Sequence, residues 1–314
     1  SAAIAALKDR QNINLFVLHP HNKISSVQRK IMTATGGPNI YNIAVKGSFD
    51  DCQKIVKEFF NDENFRSKIN MSGVNSINWA RIVCQIVYYF YSYFRLKKEK
   101  ISFSVPTGNF GDIFAGYIAK KMGLPINKLI VATNDNDILQ RVINTGEYKP
   151  DKVKPSISPS MDIQVASNFE RLLFYIVGQD DQKVSLLMDH LSKKGFFKLD
   201  QNEIQEIKKD FEAVKIDDET TRLIIKNIND EFKFIIDPHT ATGIGAARKV
   251  KGIENIVVIG TAHPFKFSDT VQSATGINLE APPHLKMNID KKEKFDIIKN
   301  SNSEAKDYIL SKLL

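Results

Sequence analysis

Ile101-Ser-Phe-Ser-Val-Pro-Thr-Gly-Asn-Phe-Gly-Asp112 decides the fold. Residues 101–105 form a β-branched and aromatic run and read as a strand. Past the turn, the spacing predicts a helix from Asp112 to Met122, stopped by Gly123 and then Pro125. Lys128 to Thr133 reads as the next strand. Strand, helix and strand make a βαβ unit, the building block of a parallel sheet. The turn therefore lies at the carboxyl end of a strand, where open α/β sheets bind ligands. Gly108 and Gly111 allow positive φ and close backbone approach. Thr107 and Asn109 add polar side chains. Free N–H groups and the helix dipole then face one point, which suits an anion. The same pattern also suits a tight strand-to-helix turn with no ligand. It is neither a Walker loop nor a GxGxxG fingerprint.

Upstream, helix and strand alternate. Ala2 to Leu7 is helical, Asn14 to Leu18 a buried strand, Val27 to Thr33 helical and Asn39 to Val45 a strand after the Gly36-Gly37-Pro38 turn. Ser48 caps a helix that runs to about Phe60, with Asp50 and Asp51 in its first turn. A long helix covers about Asn78 to Lys97. Tyr88, Tyr89, Phe90, Tyr91, Tyr93 and Phe94 make its second half apolar nearly all round, which predicts burial between layers or at a subunit contact.

Downstream, Glu147 to Ser160 carries Pro150, Pro155 and Pro159 and reads as a surface excursion. Residues 165–232 read as mostly helical. Sheet signals return at Phe234-Ile-Ile236 and Asn255–Ile259, with a helix at Ala241–Lys249 between them. The tail after Pro282-Pro283 reads as a charged, peripheral helix.

Three further clusters carry chemistry. Gly260-Thr-Ala-His-Pro-Phe-Lys266 sets a hydroxyl, a histidine and a lysine at another strand's carboxyl end. His263 and Lys266 there also read as a hydrogen-bonded structural histidine and a solvated lysine. Asn75-Ser-Ile-Asn-Trp-Ala-Arg81 clusters Ser76, Asn78 and Arg81 at a helix entry, donors suited to a phosphate or carboxylate, or else a cap beside a surface arginine. Asp237-Pro-His-Thr-Ala-Thr-Gly-Ile-Gly245 fits close packing of a helix on a sheet.

Composition bounds the function classes. The 314 residues suffice for about two domains, and 42% hydrophobic with 25% charged residues is a globular mix. The net charge of +8 is spread along the chain, which fits small anions better than a nucleic-acid backbone. Two cysteines, Cys52 and Cys84, give no disulfide framework and no metal cluster, so a reducing, cytoplasmic compartment is expected. The apolar stretch 82–94 is short of the ~20 residues of a membrane span, and no signal peptide is apparent. The opening SAAIAALK starts inside a helical pattern without Met, as in a piece of a longer chain.

Several stretches then carry a resemblance together: Val17-Leu-His-Pro20, Asn42–Val45, Gly47–Cys52, Asn75–Ile82 with Gln85–Tyr91, Pro106–Asp112, Ala132-Thr-Asn134, Ser160-Met-Asp162, Asp218-Glu-Thr220, Pro238-His239 and Gly260–Pro264. On them the chain resembles the threonine synthases, pyridoxal-phosphate enzymes of the tryptophan-synthase-β-like fold (fold type II), in their longer bacterial and fungal form. The resemblance implies an α/β fold with open, mostly parallel sheets and helices on both faces. It implies a smaller domain at 1–98 and a larger cofactor-binding domain at 99–314 with a helical insertion about 150–232, the cofactor lying in the cleft between. The implied reaction is O-phospho-L-homoserine plus water to L-threonine and phosphate, a β,γ-replacement in threonine biosynthesis.

By position, Thr107, Gly108, Asn109, Phe110 and Gly111 would bind the phosphate of pyridoxal 5'-phosphate. Thr261 would face the pyridine nitrogen. Ser76, Asn78 and Arg81 would hold the substrate phosphate, with Asn75, Asp112 and Lys266 nearby. The family's Schiff-base lysine stands in an amino-terminal Phe-Lys-Asp motif, followed by Ser-Gly-Asp-Thr-Gly-Ser-Ala. Ser1-Ala2 match the last two residues of that stretch, so the catalytic lysine is expected upstream and no residue of this chain replaces it. The expected partners are the small-molecule substrate and the missing amino-terminal segment, not nucleic acid or membrane. Two other readings stay open: a phospho-lyase on phosphohomoserine-like substrates, and a catalytically silent fragment that binds anions or partners.

Overall fold

β-branched and aromatic runs set the strands of two parallel sheets. In the computed structural model, residues 2–24, 26–283, 285–286 and 291–313 are described, with the backbone alone at 2, 49 and 50. The Ser1 match and part of the 284–290 tail lie outside them. In chain order the strands are β1 (Leu15–Pro20), β2 (Ile40–Lys46), β3 (Ile101–Pro106), β4 (Ile126–Thr133), β5 (Glu147–Tyr148), β6 (Phe197–Lys198), β7 (Phe211–Lys215), β8 (Ile256–Val258) and β9 (Asp296–Lys299). The sheets run β1-β2-β9 and β7-β4-β3-β8, all parallel, with β5-β6 a small antiparallel ribbon.

The chain divides into two compact units, Ser1–Val74 with Glu280–Leu314, and Asn75–Leu279. This differs from the expected boundary at 98/99. The aromatic helix and the segment before it belong to the second unit, and the carboxyl-terminal tail belongs to the first. The tail is also not merely a peripheral helix: β9 pairs with β2 through Ile43↔Asp296 to Lys46↔Lys299 before the helix Asn302–Leu313. In the first unit Ile43, Val45, Ile55, Phe59, Ile298 and Ile309 form a core. Ser48 caps the helix Phe49–Asn61 with a reciprocal Asp51 bond, as the local sequence predicts.

In the second unit β3 is central and buried at every residue. Alternation along it serves two layers. Phe103 meets Tyr89 of the helix Trp79–Leu96, ring centroids 4.7 Å apart. Ser104 donates to the carbonyl of Gly243 in the helix Pro238–Lys249 at 2.7 Å. The helix Gly111–Lys121 packs on the Tyr89 side, where a Cβ on Gly116 would stand 2.5 Å from the Tyr89 ring.

Three expectations change. The helix Trp79–Leu96 is not buried between layers of this chain, which leaves the subunit-contact alternative: Ile82, Ile86 and Tyr89 are buried, while Trp79, Val83, Val87, Tyr88, Tyr91 and Phe94 are exposed. The span 150–232 is not a helical insertion throughout, because β7 is the edge strand beside β4. Phe234–Ile236 forms no strand; Ile236 instead packs with Ile224, Ile225 and Ile228. The proline-rich stretch lies mostly at the surface, as expected, and is pinned there: Asp162 accepts from Ser156, Asn134 and Asn136, and the latter two side chains are buried.

Candidate active site

The segment 107–112 leaves the carboxyl end of β3 and enters the helix Gly111–Lys121. Left-handed backbone falls on Phe110 (φ 65°), the helix N-cap, and not on the glycines. A buried aromatic in that region costs on the order of 1 kcal/mol or more. Packing holds it: the Phe110 ring lies against Phe169 at 5.3 Å and Phe211 at 5.7 Å. Gly108 is needed for close approach of the protein's own chain. A Cβ there would meet the Ser160 carbonyl oxygen at 2.8 Å and the Met161 Cα at 3.1 Å.

Phe110 makes no side-chain cap. The first-turn N–H groups of this 11-residue helix thus keep their donors for an anion. Thr107 directs its N–H to the Ala132 carbonyl at 2.8 Å and its hydroxyl to the Val105 carbonyl at 2.6 Å, so the open donors begin after it. Asn109 is held at both ends: its carbonyl accepts the Asn168 N–H, and its side-chain oxygen accepts from the Ser167 hydroxyl. Such a donor set fits the phosphate of a cofactor.

Asp112 is in the first turn of this helix. Burial pushes its carboxyl up to about 6, opposed by the Tyr89 hydroxyl that lies 2.9 Å from Oδ1. Full burial, and then the same Asp112 contact, push the Tyr89 phenol well above its usual value.

Next to β3, β8 carries the second predicted cluster. The register pairs Ser104 with Val258, so Thr107 and Thr261 each stand three residues beyond a paired position on neighbouring parallel strands. Thr261 is exposed. His263 serves as a cap, its Nδ1 accepting the Phe265 N–H at 3.2 Å, and half-buried Lys266 belongs to the short turn Pro264–Phe267.

The third cluster opens the helix Trp79–Leu96. Asn78 is its N-cap and accepts from the Ala80 N–H at 2.9 Å, while Asn75 accepts from the Ile77 N–H. Arg81 is exposed and has no ion pair among the described residues. Ser76 is tied by its carbonyl to the Asn168 amide at 3.0 Å. The same Asn168 amide reaches the Asn109 carbonyl at 3.1 Å, so one buried side chain joins this cluster to the anion loop. Arg171 adds a bond to the Ile77 carbonyl and stacks 5.4 Å from the Trp79 ring centroid. Asn168 and Arg171 escape sequence reasoning, since neither lies in a spacing that marks a site.

Behind the glycine turn, Asp237 and His239 are buried as a hydrogen-bonded pair. The helix they open packs on the sheet as its sequence predicts. The described residues contain no group of three or more His, Cys, Asp or Glu placed to hold a metal, and no helix long and apolar enough to cross a membrane.

A parallel sheet with an uncapped helix start at its central strand's carboxyl end defines an open α/β protein with a candidate anion site. Its architecture is that of the fold-type-II pyridoxal-phosphate enzymes. A solved threonine deaminase isoform from Solanum lycopersicum, 12% identical, shares the fold with a TM-score of 0.52 over 87% of this chain and 73% of that one. A pyridoxal-phosphate-bound threonine synthase from Brucella melitensis is 44% identical, with a TM-score of 0.91 over 99% of this chain and 68% of that chain. A threonine synthase of Pseudomonas aeruginosa is 43% identical, over 98% of this chain and 67% of the relative. The family described as "Threonine synthase, C-terminal" matches residues 240–309. The chain belongs to the threonine synthase family. It spans 58% to 67% of the length of the first curated relatives it matches.

Proposed function

We propose that the full-length protein converts O-phospho-L-homoserine and water to L-threonine and phosphate with pyridoxal 5'-phosphate. The observation that carries this is the uncapped helix start at Gly111, joined through Asn168 to the donor cluster at Ser76, Asn78 and Arg81. Two anion sites on one framework suit a phosphorylated cofactor and a phosphorylated substrate. When bound, the cofactor supplies an electron sink that makes carbanion chemistry at the substrate accessible.

In this reading the backbone donors of Gly108–Gly111 hold the cofactor phosphate, with Thr107 shaping the loop's entry. Thr261 offers the pyridine nitrogen a neutral hydroxyl. Ser76, Asn78 and Arg81 bind the substrate phosphate, which is also the leaving group, so their hydrogen bonds strengthen as charge builds on it. In the same reading no lysine of these 314 residues anchors the cofactor.

The test is turnover of O-phospho-L-homoserine by the full-length protein, with phosphate and amino-acid products both measured. Equal amounts of phosphate and threonine are expected. A 2-oxo acid in place of threonine would make the protein a phospho-lyase, and no turnover with cofactor bound would make it a silent relative.

A further inference from the structure

We propose that Asp237, acting through His239 and Thr240, is a positioning residue that sets the anion loop at Gly108 and the Gly260-Thr261 turn in register. The inference rests on the cofactor reading above and deepens it.

Asp237 is 1% exposed and His239 2% exposed, so their polar atoms depend on protein partners. One oxygen of Asp237 accepts from His239 Nδ1 at 2.9 Å and from the His239 backbone N–H at 2.9 Å. The far ring nitrogen, Nε2, accepts the Ser160 N–H at 3.3 Å. That pattern assigns the tautomer: the proton is on Nδ1 and the lone pair on Nε2. Ser160 lies in the turn Pro159–Met161, which is the surface that Gly108 packs against. The chain of contacts thus runs from Asp237 through His239 and Ser160 to Gly108.

The second branch runs to the neighbouring strand. The other Asp237 oxygen accepts from the Thr240 hydroxyl. That hydroxyl would stand 3.8 Å from a Cβ on Gly260. The His239 ring also lies 4.6 Å from the Phe267 ring, which closes the turn after Thr261. One carboxylate therefore supports both segments that the cofactor reading assigns to its two ends.

Histidine suits this place because a rigid ring presents a donor and an acceptor on separate sides. Asparagine can keep the Asp237 bond but is too short for Ser160. Glutamine can reach Ser160 with its amide oxygen. The test uses the full-length protein as wild type, His239→Asn, His239→Gln and Asp237→Asn. Backbone hydrogen exchange is followed over residues 107–113, 159–163 and 260–267. Affinities are measured for pyridoxal 5'-phosphate and for pyridoxal, which lacks the phosphate.

His239→Asn is expected to raise exchange at 107–113 and 159–163 by about tenfold, with the helix Ile138–Thr145 unchanged. It is expected to weaken the phosphorylated ligand about tenfold relative to pyridoxal, with partial recovery in His239→Gln. Asp237→Asn is expected to loosen 260–267 as well. Equal weakening of both ligands, unchanged exchange, or loss of protection across the whole unit would overturn the proposal. Wild-type protein that binds neither ligand would refute the cofactor reading, and the exchange data would then decide the positioning claim alone.

Discussion

Asn168 gives one amide hydrogen to the Ser76 carbonyl at 3.0 Å, and its second hydrogen goes to the Asn109 carbonyl at 3.1 Å. Its side-chain oxygen takes the Arg171 guanidinium at 3.1 Å. A fully buried amide with every atom engaged fixes the spacing between two chain segments 33 residues apart in sequence. Asn168→Ala should cost about 1–3 kcal/mol, because the Ser76 carbonyl and the Arg171 guanidinium lose their partner, while the Asn109 carbonyl keeps the backbone N–H of residue 168. Asn168→Asp should cost more, since it removes both donors and turns oxygen toward oxygen. Urea midpoints within 0.5 kcal/mol of wild type (roughly the scatter of surface changes) would show that the bridge does not hold the segments.

Asp112 should leave a mark on the pH dependence of stability. Its native value, about 6, lies above the unfolded 3.8. The native state therefore binds more protons between these values, and stability falls as pH rises from about 4 to 6. The ceiling on that fall is roughly 3 kcal/mol. Asp112→Asn should remove this component while keeping an acceptor for Tyr89. Denaturation of both proteins from pH 4.5 to 7 checks it, and parallel curves would refute the assignment.

Arg81 separates substrate binding from cofactor binding. Truncating it to alanine in the full-length protein should lower kcat/KM on O-phospho-L-homoserine by about 2–5 kcal/mol of transition-state binding. Arg81→Lys should be impaired less, since charge remains but the two-pronged geometry is lost. Cofactor absorbance should be normal in both. Wild-type kinetics in Arg81→Ala would make it an ordinary surface residue.

Two glycines near the anion loop predict opposite outcomes. A Cβ at Gly108 meets backbone at 2.8 Å, whereas one at Gly260 meets its nearest neighbour at 3.8 Å. Gly108→Ala should destabilise by about 1–3 kcal/mol and weaken cofactor retention, because the 159–161 turn must move. Gly260→Ala should leave stability nearly unchanged. Thermal melts and cofactor content after dialysis read both, and equal behaviour would refute the packing argument.

The 314-residue chain should hold no pyridoxal phosphate on a lysine of its own. After mixing with the cofactor and borohydride reduction, peptide mapping should find no single lysine labelled in stoichiometric amount. One such residue would overturn the placement of the anchoring lysine upstream.

Local chemistry was legible where it acts within a few residues. Ser48 and Asn78 read as caps because their partners are two or three positions away. The β3 turn read as a strand-to-helix junction because strand, turn and helix are contiguous. Phe110 did not read as the left-handed residue, since a core contact with Phe169 and Phe211 sets its backbone against its own preference. β7 was hidden because Phe211–Lys215 follows directly on the helix Gln201–Asp210 and has the mixed polarity of an edge strand. Phe234–Ile236 misled for the opposite reason: its apolar residues face a helix cluster and pair with no strand. The bridging of Asn168 depends on distant partners, which no spacing rule reports.

The three-stranded sheet has a consequence for how the molecule is made. Its strands β1 and β2 end by Lys46, but β9 begins at Asp296, 250 positions later. At roughly 5–20 residues per second, a ribosome delivers the closing strand about 10–50 s after its neighbour. During that interval Ile43 and Val45 wait without Ile298, while β7, β4, β3 and β8, which all lie between Ile101 and Val258, have already been made. The nascent chain thus carries the four strands of β7-β4-β3-β8 together while β1 and β2 still wait for β9. A stop codon ahead of β9 would leave β1 and β2, made well before it, as the strands exposed to proteolysis.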